Sequence, residues 1–132
     1  MRRLIAALLA LTMGANGLVM LAAGAWWYSA VPGVPMTGPF NPHFVKDIGA
    51  AYLVAGVGLG WLAWSATPTA RGAAMAGAAF LALHAGIHLA EAATDPMGGA
   101  HLARDFAGVI LPAILAVIAV WPAKPRLETR HA

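Results

Sequence analysis

The sequence contains no cysteine. Disulfides, thiolate nucleophiles, zinc ribbons and iron–sulfur clusters are excluded in one step. Charge is scarce as well. Only 10% of the residues are Asp, Glu, Lys or Arg, against about 25% in an ordinary soluble domain. Serine is nearly missing: Ser29 and Ser65 are the only ones, and neither belongs to a serine–histidine–acid pattern. No glycine-rich phosphate loop opens a helix in the way a nucleotide site requires.

What fills the chain instead is apolar. Hydrophobic residues make up 61% of the sequence, in runs long enough to cross a bilayer at about 1.5 Å per helical residue. The net charge of +3 and the high pI do not point to nucleic acid. The basic residues sit at helix ends and tails, where membrane topology accounts for them.

The 132 residues read as one all-α domain, an integral membrane four-helix transmembrane bundle with approximate spans 4–28, 43–64, 71–92 and 100–121. Outer loops would cover 29–42 and 93–99, and a cytoplasmic tail 122–132. Arg2-Arg3 before an apolar run has the look of a signal peptide, but the run from Leu4 to Ala25 is longer than a signal core. It reads as a retained first helix closed by the interfacial aromatics Trp26, Trp27 and Tyr28. Asn16, between Gly14 and Gly17, reads as a polar residue that bonds to a neighbouring helix.

Prolines 32, 35 and 39 with Gly33 and Gly38 exclude a helix in the first outer loop, which is either a lid or a stiff connector. Asn41-Pro42 is an N-cap followed by proline at the first helical position. Gly56 and Gly60 form a GxxxG, a close-packing signal. Ser65 to Ala70 reads as a turn, so that Arg71 opens the third helix, and Pro112 predicts a kink in the fourth.

Arg2, Arg3, Arg71, Lys124, Arg126 and Arg130 fall on one side of this topology, Lys46 and Arg104 on the other. The positive-inside rule then puts both termini in the cytoplasm, with the bacterial inner membrane as the expected location. The outer half of the bundle would receive His43, Asp47, His84, His88, Glu91, His101 and Asp105. Ionisable groups inside a span are costly and mark function by default.

The organising stretch is His84-Ala85-Gly86-Ile87-His88-Leu89-Ala90-Glu91, where His84 and His88 lie one turn apart and Glu91 continues the face. His43 and Asp47 at the start of the second span mirror His101 and Asp105 at the start of the fourth. The shared pattern suggests two helical hairpins related as a parallel repeat.

Imidazole and carboxylate on facing helices suit a transition metal such as zinc, copper or iron. The expected ligands are His43, Asp47, His84, His88, His101 and Asp105, with Asp47 and Asp105 as ligands or as carboxylates that orient a histidine. Glu91, near the mouth, is the candidate catalytic base. Met36 and Met97 in the outer loops would favour copper, though weakly. Metal-assisted hydrolysis or oxidation of a small or lipid-like substrate is the reaction class this implies.

Two other readings compete. A b-type haem between helices would need His84 or His88 to be opposed by a histidine from another span. A non-catalytic accessory subunit, forming a homo-oligomer or part of a larger membrane complex, would use the small residues for packing and the polar ones for helix ends. Lys46 and Arg104 would then snorkel outward or pair with nearby carboxylates.

Overall fold

The computed structural model describes residues 1–122. The expected tail, including Lys124, Arg126, Glu128, Arg130 and His131, lies outside the described residues. The described chain is helical, with four helices long and apolar enough to span a membrane. They are α1 (Arg2–Ala30), α2 (Pro42–Trp64), α3 (Pro68–Thr94) and a fourth span, Gly98–Val120. The fourth is built from α4 (Gly98–Asp105), one turn of π-helix (Phe106–Ile110) and α5 (Leu111–Val120).

Each helix packs on its neighbour in sequence, and α5 closes the ring on α1. The core is made of small and flexible residues, among them Ala6, Ala55, Ala74, Ala116, Leu59 and Met20. Larger apolar side chains such as Leu8, Leu18, Val54, Val57, Leu83 and Ile118 point outward. This is the distribution a bilayer selects, since lipid solvates the large apolar surface and close backbone approach holds the helices.

Helices α1 and α2 approach closely through their glycines. A Cβ on Gly17 would come within 2.5 Å of the Gly49 carbonyl oxygen, and one on Gly56 within 2.8 Å of the Gly14 nitrogen. Gly60 is different: a Cβ there would meet only the Ala10 Cβ at an ordinary 3.5 Å. Of the expected GxxxG pair, only Gly56 is a point of tight contact.

Helix starts follow local chemistry. The Asn41 side chain accepts from the His43 and Phe44 amides, each at 3.1 Å, with Pro42 at the first helical position. Thr67 does the same for α3, accepting from the Ala70 amide at 3.2 Å ahead of Pro68. The third helix therefore begins three residues before the expected Arg71. The overlooked signal is Thr67-Pro68, the same cap-then-proline pair that marks α2.

Two helices are interrupted. Ala23 leaves helical geometry (φ −138°, ψ 42°), and the resulting kink lets Trp27 Nε1 donate to Asn16 Oδ1 at 2.9 Å within α1. The expected bond from Asn16 to another helix is thus a bond within its own, and Trp27 is half-buried rather than simply interfacial. In the fourth span the distortion precedes Pro112 as the π-helical turn. Proline has no N–H for the carbonyl four residues earlier, and a widened turn accommodates the missing bond.

At one end of the bundle, arginines hold the helix ends together. Arg2 Nη1 donates to the Trp121 carbonyl at 2.8 Å and Arg3 Nε to the Ala63 carbonyl at 2.8 Å. Arg71 Nη1 reaches the Val120 carbonyl at 3.5 Å. At the other end the loop after α1 folds down. Tyr28 Oη donates to the Gly38 carbonyl, and the Tyr28 ring packs on Phe40 with ring centres 5.3 Å apart.

Candidate functional site

The seven ionisable residues expected in the outer half are all at one end of the helices, but their ion pairs fall in three separate places and none of these includes Glu91. His43 and Asp47 meet each other at 3.4 Å on α2, with side chains 88% and 62% exposed. His101 Nδ1 turns back to Asp95 Oδ2 at 3.3 Å across the α3–α4 turn. The third group is the deepest and joins two helices. His88 Nδ1 on α3 lies 2.8 Å from Asp105 Oδ2 at the end of α4, with side chains 24% and 11% exposed.

The third group extends in both directions. Arg104 grips Asp105 with Nε at 2.6 Å from Oδ1 and Nη2 at 3.1 Å from Oδ2, a two-pronged contact of the guanidinium–carboxylate kind. Beyond Arg104 stands Gly33, in the left-handed region at φ +88°, so close that an added Cβ would collide with the guanidinium. On the inner side, the His84 and His88 rings meet edge to face with centres 4.9 Å apart. His84 also stacks on Phe80 at 6.1 Å and stands edge-on to Tyr52 at 5.9 Å. A continuous polar and aromatic path therefore runs from the loop between α1 and α2 through Arg104, Asp105, His88 and His84 to the buried ring of Tyr52.

The chemistry of this path follows from hydrogen-bond roles. An ionised Asp105 can only accept, so the proton of its contact sits on His88 Nδ1. That fixes the tautomer and leaves the Nε2 lone pair of His88 free for a proton or a metal. Two imidazoles bound tetrahedrally to one ion at about 2.0–2.1 Å have ring centres roughly 5 Å apart. The His84–His88 spacing is of that size.

Among the described residues, no three His, Cys, Asp or Glu side chains converge as a metal-binding group. His84 and His88 form only an edge-to-face ring pair, and Asp105 faces the Nδ1 side of His88. His43, Asp47 and His101 are engaged elsewhere, and Glu91 is exposed one turn beyond His88. Met36 and Met97 are exposed. The two short stretches that resemble each other in sequence therefore differ in use. His43 pairs with its own Asp47, whereas His101 and Asp105 each take a partner outside the motif.

Sequence reasoning did not find Asp95, Tyr52 or Phe80. Asp95 lies in a turn, where acids are common. Tyr52 and Phe80 sit in apolar runs whose helical rotation the sequence does not reveal. No family model, curated protein or solved structure matches this chain.

Proposed function

We propose that this small polytopic membrane protein binds a transition-metal ion through His84 and His88, with Asp105 holding His88 in the binding tautomer. The observation that carries the reading is the 2.8 Å contact of Asp105 with His88 Nδ1, beside a second imidazole one turn away. A carboxylate behind a ligating histidine raises its basicity and fixes its orientation. Two protein nitrogens are one fewer than the three protein ligands of a typical catalytic site, so the remaining positions fall to water, substrate or a partner chain. Glu91 is proposed as the proton-handling base at the mouth. Metal-assisted hydrolysis or oxidation of a small or lipid-like substrate is the reaction class. The basic residues gathered around Arg2, Arg3 and Arg71 support an orientation with the N-terminus in the cytoplasm and the site toward the periplasm.

The accessory-subunit reading also has a specific support: His84 packs among Phe80, Tyr52 and His88 as a core aromatic would. The haem reading has less. Its opposing histidine would be His43 or His101, and each is paired with a carboxylate.

Cobalt(II) titration in detergent separates these readings. Visible bands of a low-coordinate nitrogen-ligated cobalt that vanish in His88→Ala support the metal site. Cobalt bands identical in wild type and His88→Ala contradict it, and no binding at all leaves the packing role in front.

A further inference from the structure

We propose that a groove between α3 and α5, at the arginine-bearing end of the bundle, binds one phospholipid with an anionic headgroup. The groove encloses about 310 Å³ and is lined by Met75, Ala79, Ala82, Val117 and Trp121, with Arg71 at its end. That is the small end of ligand-sized pockets. Its wall is almost wholly apolar, and among the described residues Arg71 is its one charged residue.

Length and charge together select the occupant. From Arg71 to Ala82 the groove follows α3 for roughly 16 Å at 1.5 Å per residue. One leaflet of the hydrocarbon core is roughly 15 Å deep, half of about 30 Å. An acyl chain laid along the groove from Ala82 therefore brings its headgroup level with Arg71. The guanidinium is positioned for a phosphate there. Arg71 is half-buried and spends one donor on the Val120 carbonyl at a long 3.5 Å. A guanidinium has five donors, so among the described residues four remain. Arg2 is fixed beside it by its 2.8 Å bond to the Trp121 carbonyl, on the residue that lines the groove. Two cations next to one apolar slot complement an anionic phosphodiester with its tail, and basic residues at a membrane surface favour anionic lipid.

The test is native mass spectrometry of delipidated protein given equal amounts of phosphatidylglycerol and phosphatidylcholine with identical chains. The expected result is one phosphatidylglycerol retained per protein, at least tenfold over phosphatidylcholine. Arg71→Gln should reduce that preference about tenfold. Ala82→Phe, which fills a lipid-facing slot and leaves Arg71 in place, should lose the retained lipid with the helical spectrum unchanged. Millimolar inorganic phosphate should not displace the lipid. Equal retention of both lipids, retention that survives both variants, or displacement by inorganic phosphate alone overturns the proposal. A dimer that Ala82→Phe dissociates, with no lipid bound, also overturns it and assigns the groove to a second copy.

Discussion

His88 on α3 and Asp105 on α4 share a 2.8 Å contact that ties the third helix to the first part of the fourth span. It depends on the carboxylate and not on side-chain size. Asp105→Asn keeps the shape and removes the charge that fixes the tautomer. Metal affinity should fall about 10–100-fold, the usual cost of losing a carboxylate behind a ligating histidine. Calorimetric titration of both proteins measures it, and equal affinities would show that Asp105 does not act through His88.

Arg104 connects this pair to the loop after α1 through its contact with Gly33. Arg104→Gln should weaken metal binding less than Asp105→Asn, because the carboxylate stays beside His88. It should also raise hydrogen exchange across residues 31–40, which include Gly33. Exchange unchanged in that loop would mean that the loop is held by the Tyr28 contacts with Gly38 and Phe40 alone.

Placement of the helices is legible in hydropathy, and the capped start of α2 is legible in Asn41-Pro42, whereas α3 starts at the same kind of signal, Thr67-Pro68, three residues before the expected Arg71. The gathering of histidines and acids toward one end is legible as well. Their pairing is not. Which carboxylate meets which histidine depends on the rotation of each helix and on the distortion of the fourth span. The π-helical turn begins immediately after Asp105, where the sequence offers only Pro112, six residues from the following Phe106, as a hint. His101 and Asp105 look like a helical pair by spacing, yet a turn brings Asp95 to His101 and helix packing brings His88 to Asp105. The Asn16–Trp27 bond is hidden for the same reason, since it exists only because α1 kinks at Ala23.

Packing between α1 and α2 predicts a sharp contrast between two glycines of one motif. Gly56→Ala puts a methyl 2.8 Å from the Gly14 backbone nitrogen, and overpacking of this kind costs about 1–3 kcal/mol. Gly60→Ala meets only the Ala10 Cβ at 3.5 Å and should be neutral or stabilising by about 0.4–1 kcal/mol through the unfolded chain. Thermal unfolding in the same detergent ranks the two. Equal losses would mean that the helices are not apposed at Gly56.

Trp27→Phe should destabilise the kinked end of α1. It leaves the half-buried Asn16 oxygen without the donor it has at 2.9 Å, a loss of about 0.5–1.5 kcal/mol. Asn16→Ala combined with Trp27→Phe should cost less than the sum of the single variants, which is the signature of a direct pair. Additive losses would contradict the bond.

His43 and Asp47 provide an internal control. Their side chains are 88% and 62% exposed and meet only at 3.4 Å, so a His43→Ala/Asp47→Ala variant should retain the metal content and melting temperature of the wild type. Loss of metal in this variant would bring α2 into the site.

Everything proposed for this site depends on a metal ion held by His84 and His88. The most direct test is metal analysis of protein purified in detergent without a histidine tag, beside a His84→Ala/His88→Ala variant of equal helicity. The first should carry a stoichiometric transition metal and the second none. Equal metal content in both, or none in either after reconstitution with zinc, copper and iron, would contradict it.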